Sequence, residues 1–397
     1  MSLLSPFDVV VQPAPMESIV LPAGLSGCAG SNRAQAARAQ IAANNDVDAI
    51  KAWLARFVDT KTTFDNYRKE AERLLLWCTV ERAKPLSSLH HEDWLAYKQF
   101  LKDPQPASRW VTPDGRKFAR AHPGWRPFAG PLSLASQRQS AVILNALFSW
   151  LVNAGYLAGN PLALSRERKR RGPARVTRYV DDDIWTEIKA TIDALPRETP
   201  KHREHYYRLR WLFTLLYVCG LRISEVIGTD MGAFFQRRDK AGVDRWWLEV
   251  LGKGDKLRLV PATGELMAEL ATYRRQLGMA PLPSTHETAP LLLPIGGKHR
   301  RLTRGGVHAI VKQVFIQTAE RFRQRGPAWE PDALRALDIS AHWLRHTAGS
   351  HMANGALDLR HVRDNLGHES ISTTNIYLHS PDDLRHAETE EKHRINW

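Results

Sequence analysis

The sequence predicts a mainly α protein with a small β-hairpin, an α+β fold, organised in two domains. Apolar residues recur at helical spacing through most of residues 45–164 and again through most of 179–397. Residues 245–262, RWWLEVLGKGDKLRLVPA, alternate apolar and polar side chains around a glycine-containing turn, which indicates a hairpin. A basic stretch, residues 165–178, separates the two helical regions. The 397 residues suffice for such a division, since domains hold roughly 100–200 residues.

The charge balance points to a polyanionic partner. Lys and Arg number 56 against 42 Asp and Glu, a net charge of +14. Nucleic acid is favoured over an anionic membrane surface or an acidic protein. The mean hydropathy is −0.39. The lack of any run of about 18 apolar residues excludes an integral membrane protein. The first residues show no secretory signal, and three distant cysteines form no CxxC pair, so a reducing cytoplasm is expected.

The first domain is predicted at 45–164, a helical region in which Gly155 ends the last helix. Residues 1–44 mix Pro, Gly, Ser and Ala and are expected to form a flexible extension. An insertion at 102–132, rich in Pro, Gly, Trp and Arg, cannot be one helix. It is interpreted as a hairpin or long loop that either contacts nucleic acid or packs on its own domain.

The second domain is predicted at 179–397, after a linker at 165–178 that carries seven Lys or Arg residues. That linker is either a solvated tether or a segment lying along phosphates. Helices are expected at about 306–324, 341–354 and 358–366, with a short one from about 372. Asp358 and Ser372 are predicted as N-caps, and Gly355, Gly367 and Gly220 as helix terminators.

Two motifs come first along this domain. In GLRISEV, Arg222 and Glu225 are three residues apart and share a helical face, so they form either an internal ion pair or an anion site. The predicted hairpin tip, GKGDK, places Lys253 between two glycines. That tip is either an ordinary solvated turn or a lysine presented to a phosphate.

Two further motifs follow. In HWLRHT, His342 and Arg345 share a helical face, while His342 and His346 have metal-ligand spacing. Trp343 stands where a zinc protease helix needs glutamate, so no metal site is expected and His346 is interpreted as a partly buried histidine. In LGHESISTTNIY, His368 precedes Tyr377 by nine residues. By itself this tyrosine would be read as a core or surface residue.

Together the four motifs supply the residue types that break and remake a phosphodiester. Two arginines can grip a phosphate with paired N–H donors and neutralise the charge that develops on it. A lysine can protonate a departing 5′-oxygen, and a histidine can orient the phosphate or remove a proton. A tyrosine can attack the phosphorus and form a covalent phosphotyrosine. That bond retains the energy of the broken linkage, so the chemistry needs no ATP, metal or other cofactor.

These residues, in this order, resemble the tyrosine recombinases, also called the phage integrase family. The matching segments are GLRISEV (220–226), GKGDK with VP (252–261), HWLRHT (342–347) and LGHESISTTNIY (366–377). The resemblance covers roughly 180–380, and more weakly 45–165, which is similar to the family's helical core-binding domain. Ala341 is a mild departure, because many members have proline there.

The resemblance implies that Arg222 and Arg345 clamp the phosphate. Tyr377 is then the nucleophile that forms a 3′-phosphotyrosyl intermediate, and Glu225 supports the site. The resemblance also implies that the tail after the nucleophile, residues 378–397, packs on a neighbouring protomer.

The remaining implied roles are proton transfer and phosphate contact. Lys253 would be the general acid for the 5′-hydroxyl, with Lys256 as the alternative if the turn register differs. His342 would be the general base or a phosphate donor, and His368 the second histidine contact.

As a member of this family, the chain would be a site-specific DNA recombinase. Its two domains would clamp duplex DNA as a C, and a homotetramer would act on paired inverted-repeat core sites, alone or with a sister recombinase. The extra length favours an integrase of a phage, plasmid or transposon, acting in a bacterial cytoplasm on the nucleoid. The alternatives are a housekeeping Xer-like resolvase of chromosome dimers, a type IB topoisomerase, or a non-catalytic DNA-binding regulator of the same fold.

Overall fold

The computed structural model describes residues 12–35, 39–116, 118–165, 179–252, 254–296, 300–355, 357–368 and 374. The chain divides into two compact units, Met1–Arg170 and Arg171–Trp397, referred to below as the N-terminal unit and the C-terminal unit. The division falls within the basic stretch at 165–178, of which residues 166–178 lie outside the described residues. No helix in the described ranges is long and apolar enough to cross a membrane.

The regular secondary structure of the described N-terminal unit is helical, as the sequence predicts. Its α-helices are α1 (Asp46–Ala55), α2 (Lys61–Val80), α3 (His91–Lys102), α4 (Ala107–Trp110) and α5 (Leu134–Asn153). The side chains of Asn45 and Ser133 cap α1 and α5 by accepting hydrogen bonds from backbone N–H groups in the first turn. Helix α2 runs through the middle of the core, because its residues from Glu70 to Thr79 are all buried.

The segment before α1 differs from the flexible extension predicted for residues 1–44. Within residues 12–35 and 39–44, Met16 is buried in the core, and its backbone N–H donates to Glu72 of α2 at 2.7 Å. The Arg33 guanidinium lies 3.9 Å from the ring centroid of Tyr156. These residues are therefore packed onto the helices. Their contacts join positions more than 50 residues apart, so local composition does not show them.

The insertion at 102–132 is a loop with little regular structure rather than a hairpin. It contains α4, a 3₁₀ turn at Pro113–Gly115 and one isolated parallel bridge between Val111 and Phe128. The Trp110 and Phe128 side chains are buried in the core of the N-terminal unit. The described residues of the insertion therefore pack on their own domain, and its contact with nucleic acid stays a prediction.

The described C-terminal unit combines helices with one three-stranded sheet. The helices are α6 (Asp182–Asp193), α7 (Pro200–Tyr217), α8 (Ile223–Gly228), α9 (Gly264–Gln276), α10 (Arg304–Gln324), α11 (Glu330–Asp338), α12 (Ala341–Asn354) and α13 (Leu359–Leu366). The strands are β1 (Phe234–Arg238), β2 (Asp244–Leu251) and β3 (Leu257–Pro261). The predicted helices near 306–324, 341–354 and 358–366 are α10, α12 and α13. Of the helix predicted from Ser372, only Thr374, which is helical, is among the described residues.

The sheet contains the predicted hairpin and a third strand that the sequence did not reveal. The strands are antiparallel in the order β1-β2-β3, with Leu248 paired to Val260 on one side and to Phe234 on the other. Strand β1 has the sequence FFQRR, and only its first residue is buried. Such an edge strand lacks the apolar alternation by which a half-buried strand is recognised.

The last two described helices end where the sequence predicts. Asp358 caps α13 by accepting from the backbone N–H of Arg360, and Gly367 ends α13 in the left-handed conformation, with a φ of 60°. Gly355 follows α12. Val362 and Leu366 pack against the C-terminal turns of α12. This packing places residue 368 next to the helix that carries Arg345.

Candidate active site

Arg222 stands at the N-terminus of α8 and is held there by Glu225. Its backbone N–H donates to Glu225 Oε2 at 2.8 Å, and its Nη1 donates to Glu225 Oε1 at 2.7 Å. The preceding turn requires Gly220, because its φ is 57° and a Cβ there would lie 2.5 Å from Leu366 Cδ2. Arg222 thus follows a turn that lies directly against α13. Its side chain is about one third exposed, and Glu225 orients it.

Glu225 is a buried anion shared by two arginines. Beside Arg222, it accepts from Arg258 of β3, with Nη1 to Oε1 at 2.7 Å and Nη2 to Oε2 at 2.9 Å. Burial by itself would raise the pKa of this carboxyl, but the hydrogen bonds and charge of Arg258, with those of Arg222, outweigh it and lower the pKa to about 2. Glu225 is therefore ionised at neutral pH although only 3% of its surface is exposed.

Arg345, on α12, is buried with 2% of its surface exposed. Its Nη1 donates to the carbonyl of Gly220 at 2.5 Å, and its Nη2 donates to the carbonyl of Leu366 at the end of α13. One guanidinium therefore joins the turn before Arg222 to the turn before His368. Because both bonds go to backbone carbonyls, the position of Arg345 depends on the path of the chain at these two turns.

His342 and His346 lie one helical turn apart on α12, with ring centroids 4.5 Å apart in an edge-to-face arrangement. His342 is exposed and His346 half-buried. In the described part of the chain, no three His, Cys, Asp or Glu residues are placed to hold a metal ion. His346 also lies close enough to His368 to lower its pKa.

His368 directly follows Gly367, and its Nδ1 lies 3.0 Å from Thr374 Oγ1 in hydrogen-bond contact. Burial lowers the pKa of His368, and the charges of Arg345, Arg222, His346 and Arg258 lower it further, to about 4. At pH 7 this imidazole is therefore neutral. Burial is the largest cause of the lowered pKa, and the three arginines add to it because they give the site a positive potential.

The residues at the base of the β2–β3 hairpin tip lie beside Glu225 and Arg258. The Gly252 N–H donates to the carbonyl of Lys256 at 2.8 Å. A Cβ at Gly252 would lie 3.6 Å from Arg258 Nη1 and 3.8 Å from Glu225 Oε1. The strand thus passes beside the Glu225–Arg258 pair immediately before the tip, where Lys256 is exposed. Lys253, like Tyr377, lies outside the described residues.

The described predicted residues converge on one site, and sequence reasoning missed Arg258. Arg222, Glu225, Arg345 and His368 are joined by the contacts given above, and His342 reaches them through His346. The sequence pattern did not indicate Arg258, because it stands between Leu257 and Leu259 and would be assigned to the polar face of the strand. In the structure Arg258 lies on the same face of β3 as buried Val260, and an arginine on that face needs an anion.

Comparison with known proteins fits this geometry. The family described as "Phage integrase family" matches residues 186–383. Tyrosine recombinase XerC of Mycobacterium sp. (strain KMS) is 31% identical over 245 residues, which cover 62% of this chain and 71% of that protein. The chain belongs to the phage integrase family of tyrosine recombinases. As such, it is a site-specific recombinase that cleaves and rejoins DNA strands.

Other relatives and solved structures agree with this assignment. Tyrosine recombinase XerD of Brucella suis biovar 1 (strain 1330) is 29% identical over 263 residues, 66% of this chain and 76% of that protein. A structure of the XerH site-specific recombinase in a post-cleavage complex with a palindromic difH substrate has the same fold, with a TM-score of 0.58 and 16% identity over 96% of this chain and 99% of that chain. The structure of the Tn1549 transposon integrase in complex with transposon right-end DNA has a TM-score of 0.54. Its sequence identity is 16%, and the match covers 87% of this chain and 99% of that chain. The predicted tyrosine recombinase fold, mainly helical with a small sheet, is confirmed.

Proposed function

We propose that this recombinase breaks a DNA phosphodiester at the site formed by Arg222, Arg345 and His368, with Tyr377 as the nucleophile. The observation that carries the proposal is the cationic environment of His368, whose pKa burial and the nearby arginines lower to about 4. A phosphodiester carries one negative charge. Its entry would relieve the repulsion among the cations, which makes a phosphodiester a fitting occupant of this site.

Three residues of the chain act directly on the phosphate and its bonds. Arg222 and Arg345 donate hydrogen bonds to the non-bridging oxygens and neutralise the charge of the pentacoordinate phosphorus. Tyr377 Oη attacks the phosphorus, so a tyrosyl–phosphate bond forms at the 3′ side while the bond to the 5′-oxygen breaks. In the reverse step a 5′-hydroxyl attacks the phosphotyrosine, which frees Tyr377 and reseals a strand.

The protons are moved by the lysine and the histidines. Lys253 gives a proton to the leaving 5′-oxygen, with Lys256 as the alternative donor. His342, exposed on α12, removes the proton of the attacking tyrosine or donates to the phosphate. His368, neutral at pH 7, donates a hydrogen bond to the phosphate. Glu225 touches none of the reacting atoms in this scheme and supports Arg222.

The DNA partner is proposed to be a pair of duplex sites with inverted-repeat cores, held by a homotetramer or by a mixed tetramer with a sister recombinase. The two domains would close around the duplex as a C-shaped clamp. The net charge of +14 supports duplex binding. The bacterial relatives support action on the nucleoid in the cytoplasm.

The biological role is proposed to be integration of a mobile element. More than a third of the chain lies outside the match to XerC, and the fold is shared with a transposon integrase. A housekeeping role in resolving chromosome dimers is the second candidate, because the curated relatives are named XerC and XerD.

The experiment is covalent trapping in bacteria. Wild type and Tyr377→Phe are expressed, cells are lysed in denaturing detergent, and DNA that stays attached to protein is sequenced. Attachment of inverted-repeat loci in the wild type alone would support the proposal. Attachment at the ends of a mobile element would favour the integrase role. Attachment at a single resident chromosomal locus would favour the housekeeping role. Scattered attachment would point to topoisomerase activity, and equal attachment in both proteins would overturn the assigned nucleophile.

A further inference from the structure

Arg258 is largely buried at the centre of the candidate active site and lies within the matching segment 252–261, yet it is not one of the residues that predicted the site. It lies on β3, and 9% of its side chain is exposed. Its guanidinium uses both terminal nitrogens on Glu225 and its Nε on the carbonyl of Asn365 at 3.2 Å. One side chain thus bonds to α8 and to the end of α13.

The bond to Glu225 affects Arg222. Glu225 Oε1 accepts from both Arg222 and Arg258, and Oε2 accepts from the Arg222 backbone and from Arg258. The carboxylate is therefore held in one orientation by a planar fork that matches its own geometry. With Arg258 removed, the carboxylate could rotate, and the Arg222 guanidinium would turn with it.

The bond to Asn365 affects His368. The carbonyl of Asn365 accepts from Arg258, and the next carbonyl, of Leu366, accepts from Arg345. Gly367 lies close to the Arg258 side chain, since a Cβ on residue 367 would be 2.7 Å from Arg258 Cδ. His368 is the next residue. Arg345, which is buried, and Arg258, which is largely buried, therefore hold the turn from which His368 enters the site.

We propose that Arg258 is a positioning residue of the recombinase, which fixes Arg222 through Glu225 and His368 through the end of α13. The inference rests on the function proposed above. Lysine could not replace it, because one ammonium group cannot bond both carboxylate oxygens in a plane and also reach the Asn365 carbonyl.

The chain offers a closely matched control in Arg274. It is buried in the same unit, bonds both oxygens of Glu287 at 2.6 and 2.9 Å, and donates from Nε to the carbonyl of Ala280 at 2.6 Å. It shares the carboxylate fork and the Nε bond of Arg258, and it also contacts Met231 Sδ and the carbonyl of Leu282, none of which belongs to the candidate site. Arg258→Met and Arg274→Met therefore remove comparable arginines, and thermal unfolding shows how much each destabilises the fold.

The first measurement is single-turnover cleavage of a nicked duplex that carries a locus trapped by the wild type. Arg258→Met is expected to lower the maximal rate about 100-fold with little change in the DNA concentration at half-saturation, because misplaced groups slow the chemistry more than binding. Arg258→Lys is expected to recover less than about a tenth of that loss. Arg274→Met, measured as folded protein, is expected to cleave within about threefold of wild type.

Two titrations separate positioning from a structural role. The charged groups that face Glu225 are Arg222 and Arg258, so Arg258→Met is expected to raise the pKa of Glu225 and move the acid limb of the cleavage rate to higher pH. The groups that face His368 are Arg345, Arg222, His346 and Arg258, so its pKa, read by NMR without DNA, is expected to rise from about 4. Arg274→Met is expected to change neither.

Equal cleavage by the folded Arg258→Met and Arg274→Met variants, with unchanged titrations, would overturn the positioning role. The double variant Glu225→Gln with Arg258→Met adds a check, since the two losses should be far from additive if Arg258 acts through Glu225. Failure of the proposed function looks different. In that case the wild type itself forms no covalent complex, whereas the substrate-free titration of His368 still reports on Arg258.

Discussion

A buried carboxylate lies in each unit, and the two are held by opposite kinds of partner. Asp46, at the start of α1, is fully buried and accepts from the hydroxyl of Tyr156 at 2.8 Å and the backbone N–H of Ser87 at 3.1 Å. Burial raises its pKa, and these bonds offset that rise only in part. Glu225 is as deeply buried, but Arg258 and Arg222 lower its pKa to about 2.

The difference shows what a buried carboxylate can do with each kind of neighbour. Neutral donors satisfy the oxygens of Asp46, and the nearby charge of Arg33 lowers the pKa too little to offset burial, so Asp46 connects α1, the Ser87 turn and Tyr156. Arginines compensate the charge, so Glu225 stays an anion and can orient cations that will meet a phosphate. Four predictions test this contrast.

The largest effect is expected from Glu225→Gln. Two arginines then face a neutral amide, and breaking a buried ion pair costs about 3 kcal/mol of unfolding free energy. The rate of cleavage of a DNA locus identified by covalent trapping should fall about 100-fold, because Arg222 loses the carboxylate that orients it. Hydrogen exchange in peptides covering α8 and β3 measures the first quantity and covalent-complex formation the second. Glu249→Gln, on the exposed face of β2, is the control and should change stability by less than about 0.5 kcal/mol.

The pH dependence of stability should have opposite signs at the two carboxylates. The lowered pKa of Glu225 contributes stability above pH 4.5 that disappears as the pH falls toward 2, about 3 kcal/mol in all. The raised pKa of Asp46 contributes stability at low pH that is lost as the pH rises through its folded value. On acidification the stability advantage of wild type over Glu225→Gln should therefore shrink, and its advantage over Asp46→Asn should grow. Hydrogen exchange between pH 6 and 3 gives both slopes, and slopes of the same sign would contradict the contrast.

A glycine lies directly beside each carboxylate cluster, and substitution of either glycine should destabilise the fold. A Cβ at Gly27, with a φ of 87°, would overlap the Asp46 carboxylate, and one at Gly367, with a φ of 60°, would meet Arg258. Alanine at either position should cost about 2 kcal/mol. Gly278→Ala is the control, since its φ is 71° but no atom lies within 4 Å, and it should cost about 1 kcal/mol of backbone strain. Only Gly367→Ala should also slow cleavage; if Gly27→Ala slowed it equally, the two clusters would not be functionally distinct.

The smallest effect is expected from Asp46→Asn. The amide oxygen can still accept from Tyr156, and the desolvated charge is gone, so the loss at pH 7 should be about 1 kcal/mol. Hydrogen exchange in peptides of α1 measures it, and cleavage per folded molecule should match wild type. A loss of unfolding free energy as large as that of Glu225→Gln would show that the loss does not depend on whether the carboxylate is bonded to arginines or to neutral donors.

Most of the described site could be predicted from sequence, because its residues sit in short motifs with local geometry. Arg222 and Glu225 are three residues apart on α8, and His342, Arg345 and His346 share α12. Arg258 could not be assigned this way, because it reaches Glu225 across 33 residues of sequence. The chemical roles of Lys253 and Tyr377 stay predictions, since both lie outside the described residues.

The sequence by itself determined where α10, α12 and α13 lie, where the β2–β3 hairpin turns, and which residue types could bind a phosphate, because these depend on neighbours a few residues apart. Only the tertiary structure decided that residues around Met16 pack on α2, that the insertion covers its own core, and that Arg258 shares Glu225 with Arg222. Such pairings depend on which distant segments burial brings together, and many pairings are compatible with the same local pattern.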